Sequence, residues 1–219
     1  MAIITIAHQI GSGGREIGQL VAQKMGLPYV DREIVQDVAK ELGISVSEAN
    51  DLHEKADNVF NQVFTLFRYN LTSPLTSKPT GVDTITYQEA TKAVLEKVAA
   101  TDEVVIAGHG ANFYLAGRPN ILSVFIYAPP AFRINVIKER DQIAQAEAVR
   151  QVQHNDAARA HYIRSLYGAD WRDPDEYHLM INTAISPSDL AADLIVQAAN
   201  HCLLPLPQPK NGSKSKALP

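Results

Sequence analysis

The chain has 219 residues, 46% of them hydrophobic, with a formal net charge of -4 and a pI near 6.0. That length holds one α/β domain with a well-buried core, and the acidic balance argues against a dedicated nucleic-acid binder, which needs basic surface to neutralise phosphates. Cys202 is the single cysteine, which excludes an intrachain disulfide and a cysteine-rich metal site and fits a reducing cytoplasm. No run is long and apolar enough to span a bilayer, and MAIITIAHQIGSGG lacks the basic region of a signal peptide, so a cytoplasmic protein without a membrane partner is expected.

Ala2 to His8 is β-branched and apolar, the pattern of a buried strand. Glycines at 11, 13 and 14 follow, then a helix with Ile17, Leu20, Val21 and Met25 on one face, closed by Gly26. Leu27 to Val30 is a short second strand ending at Asp31, and helices are expected over 32–42 and 46–56, the latter opened by Ser45 or Ser47 with Glu48 close behind. Within 57–82, Val59, Phe60, Val63, Phe64, Leu66 and Phe67 suggest an apolar helix, and TSPLTSKPTG reads as a loop. A helix over 85–100, strands at Val104–Ala107 and Leu122–Tyr127, one or two polar helices in 130–166, a strand at Tyr177–Ile181 and a helix over 187–201 complete the pattern. Residues 205–219, rich in proline, lysine and serine, are expected to be a disordered tail.

Alternating strands and helices imply a parallel sheet with helices on both faces. Ligands on such sheets bind beyond the carboxyl ends of the strands. The segments to question are therefore His8–Glu16, Asp31–Arg32, Gly108–Asn112, Ala128–Pro130 and Asn182–Thr183.

Strand, glycine-rich turn and helix is the arrangement of a phosphate-binding P-loop, in which glycines let consecutive N–H groups converge on an anion at the positive end of a helix. Laid over G-x-x-x-x-G-K-[ST], the segment Gln9-Ile10-Gly11-Ser12-Gly13-Gly14-Arg15-Glu16 matches outright only at Gly14. Arg15 keeps the lysine's charge but replaces a point contact with a planar fork. Glu16 stands where a hydroxyl would help hold magnesium; it can ligate the metal itself or repel phosphate. A plain strand-to-helix turn with Arg15 and Glu16 solvated is the competing reading.

The stretches ITIAHQIGSGGREIG, LPYVDREIV, VVIAGHGANFYLAGRPN, VFIYAP, NDAARAHYIRSLYG and YHLMINTAIS resemble the cytidylate kinase-like proteins across residues 3–186. The resemblance implies a P-loop NTPase fold over 1–204, with a helical substrate-binding insertion at about 45–100 and a mobile lid at about 139–168. It also implies ATP as phosphoryl donor, magnesium as its companion ion, and nucleotides as the partners. Gly11, Ser12, Gly13, Gly14, Arg15 and Glu16 match the phosphate loop, Asp31 matches the aspartate near the acceptor, and Asp156-Ala-Ala-Arg159-Ala160 matches the lid motif. Arg32 and Asp37 replace a serine and an arginine of true cytidylate kinases, and His109 replaces the arginine that holds the acceptor phosphate. Ala107 replaces an acidic residue, Val152 and Asn155 replace two lid arginines, and Asn182 replaces a base-contacting aspartate; Arg150 and Arg164 lie near enough to compensate.

On this resemblance Arg15 and Arg159 carry catalysis, Gly11–Glu16 bind the donor phosphates, Asp31, Arg32, His109 and Asn182 face the acceptor, and Glu16 is a metal candidate. Plainer roles stand beside these. Arg159 pairs with Asp156 on a solvated helix face, Asp31 caps the next helix, His109 serves a turn, and Trp171 with Tyr162, Tyr167 and Tyr177 packs rather than stacks on a base. At the level of activity the alternatives are a nucleoside monophosphate kinase and a weak or inactive kinase fold that senses a nucleotide or anion.

Overall fold

Ile3–His8 forms the central strand, β1, of a sheet in which every pairing is parallel. The computed structural model describes residues 2–31, 33–49, 84–101 and 103–201. After β1 come α1 (Gly14–Met25), β2 (Tyr29–Val30), α2 (Glu33–Leu42), α3 (Thr84–Ala99), β3 (Val104–Ala107), α4 (Ala111–Tyr114) and β4 (Ile121–Tyr127). The chain continues through α5 (Pro130–Asp141), α6 (Gln145–Tyr167), a 3-10 turn at Pro174–Glu176, β5 (Leu179–Asn182) and α7 (Ser188–His201). The strand order is β2-β3-β1-β4-β5.

Period-two alternation sorts the strand side chains between two faces. Ile3, Val104, Ile106 and Ile121 pack with Ile34, Val38, Val94 and Leu95 of α2 and α3. Ile4, Ile6, Val105, Leu122, Val124 and Ile126 pack with Ile17, Val21, Ala191 and Ile195 of α1 and α7. Strands buried on both sides read as continuous apolar runs, as β1 and β4 do. A third, aromatic cluster holds Phe125, Tyr162, Trp171 and Tyr177, with Tyr167 and Phe113 packed against it. Phe125 stacks on Tyr177 at 5.0 Å and meets Trp171 edge-on at 5.4 Å. These aromatic residues pack into the core, the plainer of their two expected roles.

Local signals are honoured where they can be checked. Gly26 closes α1 with φ 67°, its N–H directed to the carbonyls of Ala22 and Gln23. Ser45 and Glu48 form a reciprocal capping box: Glu48 N–H donates to Ser45 Oγ at 3.2 Å, and Ser45 N–H donates to Glu48 Oε2 at 2.9 Å. Helix therefore begins at 46, with Ser45 rather than Ser47 as its cap.

The first strand begins at Ile3 rather than Ala2, the fourth at Ile121 rather than Leu122, and the fifth ends at Asn182 rather than Ile181; two larger shifts have a physical cause. The second strand keeps only Tyr29–Val30, because Pro28 has no N–H to donate to a ladder. The fifth begins at Leu179 rather than Tyr177, because Tyr177 leaves the ladder to send its hydroxyl to Trp171 O at 2.6 Å. The expected apolar helix within 57–82, most of the 45–100 insertion, Arg32 and the tail at 205–219 lie outside the described residues. Among the described residues no helix is long and apolar enough to cross a membrane.

Candidate active site

β1 delivers its carboxyl end into the glycine turn. Gly11 and Gly13 take φ 77° and 76°, the left-handed region that glycine enters at no steric cost. The first intrahelical bond of α1 is donated by Ile17 N–H to Gly13 O at 3.0 Å. The N–H groups of Gly13, Gly14, Arg15 and Glu16 are therefore the orphan donors of the helix start, and no side chain caps Gly13. An anion is the natural cap for such an end.

Gln9, a mismatch to the P-loop pattern, and Ser12, at a position where that pattern is unrestricted, build this turn. Gln9, in the place of the first glycine, is 7% exposed; its Oε1 accepts from Ala128 N–H at 3.2 Å, which ties the loop to the end of β4. The Ser12 hydroxyl is turned inward, donating to Gln9 O at 2.7 Å with Ile126 O at 3.1 Å. It braces the loop, and its hydroxyl is engaged by the chain itself. Thr183, just past β5, donates to Ser12 O at 2.9 Å and pins the loop from the far side.

Arg15 does not stand free. Its Nε lies 2.7 Å from Asp31 Oδ2 and a terminal nitrogen 3.5 Å from Oδ1. The loop cation and the acceptor-side carboxylate, expected as separate contacts, form one ion pair across the ends of β1 and β2. Glu16 is exposed and has no ion-pair partner among the described residues. No group of three His, Cys, Asp or Glu side chains among the described residues is placed to hold a metal.

Arg159 lies in the second half of α6, within the segment expected to be a lid. The competing pairing with Asp156 is absent, because Asp156 is taken: Arg133 Nη1 and Nη2 reach its two carboxylate oxygens at 3.0 and 2.7 Å, and Arg172 approaches at 3.0 Å. Arg159 has no carboxylate partner among the described residues. It lines a narrow cleft with Ala7 and His8 of β1, Gly108 and Gly110 after β3, Asn112 and Phe113 of α4, and Trp171 and Tyr177. The free space there is on the order of one water molecule. Arg150, paired with Glu147, and Arg164 are exposed and do not line this cleft.

His109 is buried, at φ 57° between Gly108 at 77° and Gly110 at 68°. Three consecutive left-handed residues turn the chain sharply at the end of β3, level with Ala7, since Ile6 pairs with Ala107. Asn182 lies elsewhere. Its Oδ1 accepts from Ala184 N–H at 3.0 Å, and its strand is four places from β2, about 19 Å at the usual strand spacing. The structure thus brings Asp31 and His109 to neighbouring strand ends and sets Asn182 at the opposite edge, beside the phosphate loop through Thr183.

His8 is the residue the sequence reading overlooked. Its pKa is pulled from 6.5 to about 4, by burial first and then by the positive charges of Arg159 and Arg15. Burial and the field of the two arginines thus both favour a neutral imidazole. A folded pKa below the unfolded value means that the unfolded chain takes up the proton first as pH falls. Stability present above 6.5 is therefore lost as pH falls from 6.5 toward 4, by about 3 kcal/mol in all. Urea unfolding of His8→Gln at pH 7 and 4.5 is expected to lack this component; an unchanged pH slope would refute it.

A parallel sheet of order 2-3-1-4-5, with a glycine loop at the carboxyl end of its central strand and an arginine on a helix over that end, defines a P-loop kinase fold. The cytidylate kinase-like family model matches residues 3–185, and the chain belongs to that family. It is 24% identical to a cytidylate kinase of Sulfolobus acidocaldarius over 88% of this chain and 91% of that protein. It is 22% identical to one of Ignicoccus hospitalis over 89% and 97%. Among solved structures, an uncharacterized protein from Eubacterium ventriosum matches with TM-score 0.66 at 20% identity, covering 92% of this chain and 99% of that one. A shikimate kinase from Bacteroides thetaiotaomicron matches with TM-score 0.52 at 13% identity, covering 91% and 98%. These two likenesses speak to fold.

Proposed function

We propose that the protein is an ATP-dependent phosphotransferase whose acceptor is a nucleoside monophosphate. The observation that carries this reading is the convergence, at one end of the sheet, of the uncapped N–H groups of Gly13–Glu16 with an arginine, Arg159, that no carboxylate among the described residues holds. The family supports a kinase, and the relatives' names supply the acceptor class.

In this reading the loop N–H groups take the donor β-phosphate. An oxygen of the acceptor phosphate attacks the γ-phosphorus, the bond from that phosphorus to the β,γ-bridging oxygen breaks, and ADP leaves with the electron pair. Such a transfer asks for positioning and charge stabilisation rather than covalent chemistry. Arg159 stabilises charge on the transferring group. Arg15 neutralises the β- and γ-oxygens once phosphate displaces Asp31, which is then free to face the acceptor with Arg32 and His109. Asn182 lies on the donor side of the sheet, so the base within its reach is that of the donor.

Magnesium typically uses one or two carboxylates together with phosphates and water. Glu16, and Asp31 once released, meet that requirement; the ion would offset phosphate charge. The 45–100 segment is assigned to the acceptor and α6 to the lid.

The Arg15–Asp31 pair favours a second reading, a kinase fold that senses a nucleotide or anion, since it removes both groups from the site. ADP release measured over a panel of nucleoside monophosphates decides between them. Acceptor-dependent ADP formation is expected. Binding of ATP with no ADP formed for any acceptor would leave the sensor.

A further inference from the structure

We infer that Arg133 and Asp156, outside the set of nucleotide-contacting residues above, are positioning residues that couple occupancy of the phosphate loop to the placement of Arg159. The inference rests on the reading of Arg159 given above. Arg133 is 1% exposed, an unusual state for an arginine, and every direction of its fork is used. Nε donates to Ala128 O at 2.9 Å, at the end of β4. Nη1 lies 3.4 Å from Ile10 O, inside the phosphate loop. Nη1 and Nη2 together clasp Asp156. The Arg133 backbone also packs under the loop: a β-carbon at Gly11 would lie 2.8 Å from Arg133 O.

One guanidinium thus touches the loop, a central strand and the lid helix. Asp156 and Arg159 are three residues apart on α6 and so lie on neighbouring faces of one turn. A bidentate arginine–carboxylate pair fixes rotation as well as distance. When Ile10 shifts to receive phosphate, the clasp carries that shift to α6. Without the clasp α6 keeps its apolar contacts, at Ala148 and Val152 with Ile137 near its start and at Tyr162 and Ile163 near its end, and non-directional contacts fix its rotation, and the placement of Arg159, less sharply than a bidentate pair does.

The clasp has a built-in reporter. Trp171 is the sole tryptophan and lines the cleft with Arg159. The Arg172 guanidinium sits 5.4 Å from its ring centre while also reaching Asp156. Movement of α6 therefore alters the surroundings of one fluorophore.

The test uses the full chain, with pyrophosphate and ATP as probes, reading affinity by calorimetry, Trp171 emission and ADP formation. In the parent both probes are expected to shift the emission. Asp156→Asn keeps the shape and removes the charge. It is expected to bind pyrophosphate within about threefold of the parent, to lose the emission shift, and to lower kcat about 10²-fold with little change in the KM for ATP, as misplacement of a reacting group does. Arg133→Lys, which keeps charge without the fork, is expected to fall between, and it carries the test should Asp156→Asn fail to fold. Arg150→Gln, on the same helix, is expected to behave as the parent.

A parent whose emission ignores both probes would overturn the coupling. So would an Asp156→Asn variant that keeps the shift, or one that loses pyrophosphate affinity in proportion to turnover, since the pair would then only hold the loop. A parent that forms no ADP with any acceptor refutes the kinase reading alone, and the emission and affinity comparisons still decide the coupling.

Discussion

Replacing Arg159 by alanine is expected to lower turnover about 10³-fold while changing the affinity for ATP less than about threefold. An arginine that meets charge developing during transfer stabilises the transition state more than the bound substrate, so its loss appears in kcat. The structure sharpens this expectation. Arg159 has no carboxylate partner among the described residues, whereas its helix neighbours are committed: Arg150 to Glu147, and Asp156 to Arg133 and Arg172. Arg159→Lys should recover only part of the rate, because an ammonium keeps the charge and loses the fork. Steady-state ADP formation in the three proteins, with ATP affinity by calorimetry, measures both quantities. Comparable losses of about twofold in Arg150→Ala, Arg159→Ala and Arg164→Ala would mean that none of the three meets the transferring group.

The second large effect is expected at Gly14. A β-carbon built there would lie 2.2 Å from His8 Cβ and 2.6 Å from Cγ. Neither neighbour is the far end of a flexible chain, so β1 and α1 must part. Gly14→Ala is expected to destabilise the fold by about 3 kcal/mol, the upper range for overpacking, which is roughly 6–12 °C in Tm for a domain of this size. It is also expected to abolish pyrophosphate binding at millimolar concentration, since the orphan N–H groups no longer converge. Gly13 is the informative contrast. Its β-carbon would meet nothing nearer than Ser188 Oγ at 3.9 Å. A β-carbon at Gly13 therefore meets no protein atom closely, and the cost of substitution there to the fold is the left-handed backbone, about 1–2 kcal/mol. Gly13→Ala should keep measurable pyrophosphate binding. Equal stability and binding in the two variants would show that the close approach of β1 and α1 is not what requires glycine.

The sheet and its loop were legible because their signals are local. Apolar runs at Ala2–His8, Val104–Ala107 and Leu122–Tyr127, glycines at 11, 13 and 14, Gly26 at a helix end and the Ser45–Glu48 pair each act within a few residues. Backbone sterics and strand burial enforce them wherever the rest of the chain goes. Strand–helix alternation then implied parallel order and placed the candidate site at the carboxyl edge. Family motifs nominated Arg15, Asp31, Asp156 and Arg159 one by one.

Which of those residues face each other was settled only by tertiary structure. Arg15 and Asp31 are 16 residues apart, and Arg133 and Asp156 are 23 apart; no periodicity relates such pairs, and their contact depends on how strands and helices stack. The sequence by itself determined a P-loop α/β chain and the edge at which its chemistry sits. The assembled structure decided that Asp156 serves Arg133 and not Arg159, that burial and two arginines hold the pKa of His8 down, and that Asn182 stands across the sheet from Asp31. Charge and hydrogen-bond partners are chosen by proximity in space, whereas strand, turn and helix are chosen by proximity along the chain.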